Sequence, residues 1–160
     1  MALDIFSIQD SAGKAFDEKP ALERLEGRIR RTLTGEINVG QELDKAPLHA
    51  TRTDVFTVAP RVLINNSASQ THSLLEINAR DRAGLLHKVT RALTQLGLQI
   101  SSALVTTYGE RVVDVFYVKD TFGMQVTHEG KLDQIRKTVL EVITENEVVV
   151  DDVKSIKIAS

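Results

Sequence analysis

Residues 75–93 read LEINARDRAGLLHKVTRAL, and the reading of this stretch decides the fold. Its first part alternates, with Leu75 and Ile77 on one side and Glu76 on the other, which is the period of a strand. Its second part sets Leu85, Leu86, Val89 and Leu93 at helical spacing. Asp81-Arg82-Ala83-Gly84 joins the two. A strand, a four-residue turn and a helix open a βα unit.

Working outward, residues 73–79 are the strand and 84–96 the helix, with Gly97 placed to end it. Residues 98–107, LQISSALVTT, form a second strand. Tyr108-Gly109-Glu110 turns the chain back into RVVDVFYVK, residues 111–119, a short hairpin with glycine inside. Residues 129–143 form a second helix through Leu132, Ile135, Val139, Leu140 and Ile143. The tail EVVVDDVKSIKIA is rich enough in β-branched residues for a last strand. The order is βαββαβ, an α+β fold of the ferredoxin-like kind.

The chain also repeats itself. Residues 3–33 align without a gap on residues 113–143, at an offset of 110. Asp4, Phe6, Asp10, Gly13 and Leu22 fall on Asp114, Phe116, Asp120, Gly123 and Leu132. Leu25, Ile29 and Leu33 fall on Ile135, Val139 and Ile143. The second copy is preceded by a strand, a helix and a strand; the first is preceded by nothing. The expectation is a half unit over residues 1–66, with a strand at 2–9, a helix at 20–34 and a strand at 58–65. Residues 36–57 read as a connection, and residues 67–160 as a complete unit. A half unit cannot cover its own sheet face. The reading therefore favours a fragment of a longer protein over a second chain that supplies the missing half.

Bulk composition narrows the function. The 160 residues are 42% hydrophobic and 26% charged, with a formal net charge of −2. That balance gives no electrostatic pull toward nucleic acid or an anionic membrane. Cysteine is absent, which excludes disulfides and thiolate metal sites. No apolar run approaches the ~18 residues of a membrane span, and MALDIFSIQD is not a secretory signal. A cytoplasmic protein is expected.

Catalytic constellations do not emerge. His49, His72, His87 and His128 have no neighbours at metal-ligand spacing. Ser67, Ser69, Ser101 and Ser102 lack a nucleophile-elbow context. Gly84 stands outside any dinucleotide fingerprint. An aromatic content of 4% is too low for base stacking. What remains is the turn itself. The first N–H groups of the helix have no intrahelical acceptor and attract a carboxylate. Gly84 lets a ligand or a strand approach the backbone. Asp81 either caps the helix or accepts hydrogen bonds from an ammonium group.

A strand followed by Asp-x-x-Gly-Leu-Leu, a helix and then LGLQI resembles the ACT domain, a small-molecule regulatory module of βαββαβ fold. The resemblance implies a ligand loop of Asp81, Arg82, Ala83, Gly84, Leu85 and Leu86. It adds Leu98, Gln99 and Ile100 at the start of the second strand, often at an interface between two such domains. Ala83 stands where members of the family often have proline. The stretches DVFTVAPRVLINNSASQTHSLLEINARDRAGLL and TTYGERVVDVFYVKDTFGMQV, with ALDIFSIQD, are similar to the tandem ACT repeats that end bifunctional uridylyltransferase/uridylyl-removing enzymes. The last ~15 residues match least well.

That resemblance implies a glutamine-sensing regulatory segment of nitrogen metabolism and a parent enzyme that acts on the PII signal protein. The parent is expected to need Mg²⁺, while this chain itself carries no cofactor. A homodimer is expected from the open sheet edge of a half unit. Three other readings stay open. One is a ligand-free ACT dimerisation module. Another is the ACT region of a different enzyme, such as a GTP pyrophosphokinase or a dehydrogenase. The third is an acylphosphatase-like enzyme using Arg80 or Arg82.

Overall fold

The computed structural model describes residues 7–9, 13–45 and 59–144. The chain divides into two compact units, residues 1–46 and 47–160. The sequence reading divides the chain by repeat units, at residue 66. The strands expected at 2–9 and in the tail lie wholly or mostly outside the described residues.

In the first unit, helix α1 (Lys19–Leu33) carries Pro20 in its first turn and ends at Thr34, with Gly35 at φ 80° just beyond. Helix α2 (Val39–Asp44) was expected as part of a connection. It is only six residues long and carries no apolar period. It is set by Asn38, whose side chain accepts the Gln41 N–H at 3.2 Å. α1 buries none of its residues, and Leu33 is 83% exposed.

The second unit is one four-stranded antiparallel sheet with two helices. Its elements are β1 (Arg61–Asn65), β2 (Ser73–Arg80), α3 (Leu85–Gln95), β3 (Gln99–Tyr108), β4 (Arg111–Lys119) and α4 (Glu129–Thr144). The strand order is β1-β2-β4-β3. β2 and β4 run antiparallel from Ser73↔Val118 to Arg80↔Arg111. Side chains alternate along each strand, so Leu75, Ile77, Ala79, Val112, Phe116 and Val118 share one buried face. α3 adds Leu85, Val89 and Leu93 to that core, and α4 adds Leu132, Ile135, Val139 and Ile143. Each of these large side chains stabilises the unit by about 1.5–3 kcal/mol relative to exposure.

β1 lies outside β2 and contributes Val62 to the core. It occupies the sheet position beside the first strand that a βαββαβ unit gives to its last strand. The loop between β1 and β2 is clasped by one side chain. Gln125 Nε2 donates to the carbonyls of Asn66, Ser69 and His72 at 2.9, 3.1 and 2.9 Å. Asn66 Nδ2 donates to the Val126 carbonyl at 2.8 Å, and Val126 N–H donates to Ser73 Oγ at 3.0 Å.

The sequence repeat has a local counterpart in both units. α1 and α4 begin at equivalent positions, Lys19 and Glu129. The Glu18 carbonyl accepts from the N–H groups of Ala21 and Leu22, as the His128 carbonyl accepts from those of Lys131 and Leu132. Gly13 and Gly123, one offset apart, both have φ 76°.

Leu75 is fully buried. Leu75→Ala is expected to lower stability by about 2–5 kcal/mol in chemical denaturation. Leu33→Ala, at an exposed site, is expected to change it by less than ~0.5 kcal/mol.

Candidate functional site

The turn from β2 into α3 is held from two sides. Asp81 N–H donates to the Glu110 carbonyl at 2.7 Å, which ties the end of β2 to the β3–β4 hairpin. The chain then turns through Ala83, and Gly84 takes φ 79°, ψ 0°. This left-handed conformation costs an L-residue with a side chain about 1–2 kcal/mol, so the turn itself calls for glycine. Gly84 is the N-cap residue, and its carbonyl accepts the Lys88 N–H at 2.9 Å. The reading of Asp81 as a side-chain cap is therefore corrected. Asp81 lies three residues upstream of the cap, and no side chain caps α3.

Arg82 faces away from the mouth of this turn. Its guanidinium donates to the Val142 and Ile143 carbonyls at 2.6 and 3.0 Å. These are last-turn carbonyls of α4, which lack intrahelical donors and carry partial negative charge. Arg82 therefore locks the start of α3 to the end of α4.

The nine residues expected at the site separate into distinct groups. Leu85 and Leu98 are core residues, 3% and 4% exposed. Asp81, Ala83 and Leu86 are exposed and Gly84 half-exposed, all at the Arg80 end of the sheet. Gln99 and Ile100 are exposed at the opposite end, where β3 pairs with Lys119 and Val118. β2 and β3 are both antiparallel to β4, so they are parallel to each other. At 3.4 Å per residue, the eight residues of β2 hold the two ends roughly 24 Å apart. A single copy of this unit does not bring Gln99 to Asp81.

Asp114 was not among the residues singled out. It stands on the helix-facing side of β4 between Val112 and Phe116, and is 3% exposed. Its Oδ1 accepts the Thr106 N–H at 3.2 Å. Burial pushes its pKa above the usual carboxylate value; the Thr106 hydrogen bond pulls it down, and the charge of Asp81 pushes it up. On the opposite sheet face, Arg111 donates to Asn78 Oδ1 and Asn78 donates to Glu76 Oε1, each at 2.8 Å. Arg80 pairs with Glu110 at 3.0 Å. Among the described residues no group of three or more potential ligands is placed to hold a metal ion, and no helix is long and apolar enough to cross a membrane.

The profile of the ACR family N-terminal ACT domain matches residues 68–146. The chain carries an ACT domain. It is similar to a bifunctional uridylyltransferase/uridylyl-removing enzyme of Azospirillum brasilense, with 54% identity over 91% of the chain and 16% of the relative. Enzymes of the same description from Rhodospirillum rubrum and Gluconobacter oxydans are 50% and 46% identical over 90% of the chain. The chain spans about one sixth of the length of these curated relatives. No solved structure gives a significant match.

Chemically, the β2–α3 turn of this ACT domain offers two features at one end of the sheet. The N–H groups of the first turn of α3 suit an anion, and Asp81 with Asp114 suits a cation. A signal for Asp114 was present in VVDVFYV. There a lone carboxylate shares the alternation parity of Val112 and Phe116 inside an apolar run.

Arg82→Ala removes two charge-assisted bonds to α4. It is expected to destabilise the ACT domain by about 1–3 kcal/mol, with Arg82→Lys intermediate, in thermal or chemical unfolding.

Proposed function

We propose that this chain is the amino-acid-sensing segment of a bifunctional uridylyltransferase/uridylyl-removing enzyme, with glutamine as its ligand. The observation that carries the reading is the identity of 46–54% to three such enzymes over nine tenths of the chain. The half unit upstream is read as part of a first ACT repeat, with the boundary expected near residue 66. In the whole protein, in the cytoplasm, the catalytic domains would act on PII and use Mg²⁺ for nucleotidyl transfer.

Glutamine suits the β2–α3 turn chemically. Its α-carboxylate fits the N–H groups of Leu86 and His87 at the start of α3, that of Leu85 being donated to the Arg82 carbonyl at 3.2 Å. Its ammonium fits Asp81. Binding there acts on two elements at once, because Arg82 joins the turn to α4 and Asp81 N–H joins it to the hairpin. Isothermal calorimetry of the chain against glutamine and a panel of amino acids tests this. Saturable heat with glutamine is expected, and heat from none of the panel refutes it.

The β3 edge favours a second feature of the reading, a homodimer. β3 is ten residues long and holds no charged residue or proline, the usual protections of an exposed edge. Leu104 is 65% exposed and Val105 47%. Two-fold antiparallel pairing of two such edges sets the start of one β3 beside the end of the other. Gln99 and Ile100 of a second copy then approach the Asp81–Leu86 turn of the first. A dimeric mass by light scattering at tens of micromolar is expected, shifted toward monomer by Leu104→Lys. A monomeric mass for the unaltered chain excludes this arrangement.

A further inference from the structure

We infer that Asp114 is the specificity-determining residue of the β2–α3 site, admitting only ligands that carry a protonated amine. The inference deepens the amino-acid reading above and rests on it. Asp114 is more than nine tenths buried on the helix-facing side of the sheet. Its cross-strand neighbours, Ile77 on β2 and Val105 on β3, are both apolar. Val112 and Phe116 flank it on β4. Oδ1 takes the Thr106 N–H, and among the described residues Oδ2 has no donor. No lysine, arginine or histidine of the described elements is bonded to either oxygen. The charge that reaches Asp114 is the like charge of Asp81, from the mouth of the turn.

Oδ2 keeps some contact with solvent, and a cation or a proton that reaches it would offset the cost of a largely buried charge. Ile77 is sealed at 1% exposure, whereas Val105 on the edge strand is 47% exposed and Leu86 at the start of α3 is 43% exposed. A group entering over β3 beside α3 would approach Asp114, whose carboxylate feels the like charge of Asp81. A compact ammonium with three donors satisfies Oδ2 and offsets the repulsion between the two carboxylates. The raised pKa of Asp114 is consistent with this.

The test is calorimetry on the full chain at several pH values, using glutamine and its deaminated analogue 4-carbamoylbutanoate. Asp114→Asn keeps the shape and the acceptor for Thr106 N–H but removes the charge. It is expected to weaken glutamine binding by roughly thirtyfold or more. The unaltered chain is expected to reject 4-carbamoylbutanoate by a similar factor. An ammonium stabilises the charged carboxylate, so binding in the unaltered chain should release protons and weaken as pH falls toward the raised pKa. This pH slope should vanish in Asp114→Asn. Thermal melts establish that the variant is folded, and the analogue arm needs no variant at all. Equal glutamine affinity and pH slope in Asp114→Asn, or tight binding of the deaminated analogue, overturns the inference while leaving amino-acid sensing intact. An unaltered chain that binds no amino acid overturns the sensing reading and this inference with it.

Discussion

The ladder between β2 and β4 is the constraint on which the ACT domain depends. Its rungs from Ser73↔Val118 to Arg80↔Arg111 decide which side of every residue on both strands faces the helices. A slip of one residue would carry Leu75, Ile77, Phe116 and Val118 to the other sheet face and leave α3 and α4 nothing to pack on. The same alternation places Asp114 inside and its neighbours Val113 and Val115 on the opposite face. Register alone thus sets the carboxylate among Ile77, Val112 and Phe116.

The β2–α3 turn is rigid because each of its parts answers to a different element. Asp81 N–H is fastened to the hairpin, Arg82 to the end of α4, and Gly84 supplies the backbone conformation that starts α3. Once Arg82 serves α4 and Leu85 fills the core, only Asp81, the Ala83–Gly84 backbone and Leu86 are left to meet a ligand. A site this small is selective only if charge does the selecting. Its anion-seeking N–H groups and Asp81 supply opposite charges within one turn, and Asp114 adds a second carboxylate from β4.

Much of this was legible in the residues. Strand 73–79 and helix 129–143 were readable to within a residue because their apolar periods run unbroken and are confirmed by burial. α2 escaped because a six-residue helix set by one asparagine cap carries no period. Gly84 was read as room for a ligand or a strand to approach, and capping was one of two roles offered to Asp81, because the preference for aspartate at caps is visible in a sequence and a backbone angle is not. Gln99 and Ile100 were expected with Asp81 at an interface between two such domains. A βα crossover makes its flanking strands parallel, which puts the two segments at opposite ends of one sheet, so only a second copy could bring them together. Asp114 was passed over because a strand read for its apolar alternation hides the one charged residue that shares the inner parity.

β1 changes what counts as the smallest piece of this protein able to stand alone. The family match begins at residue 68, yet the strand that covers the outer side of β2 lies at Arg61–Asn65. A piece cut at the family boundary would lose Val62 from the core and expose the hydrogen-bonding groups along β2. It would replace β1, a five-residue edge that follows Pro60 and opens on Arg61, by the eight-residue edge of β2, opposite the ten-residue edge of β3. Such a sheet can add neighbours in both directions without closing, which is the geometry of a growing fibre rather than of a dimer. The residues just before the recognisable domain thus give that side of the sheet a short edge flanked by proline and arginine, which disfavours pairing there.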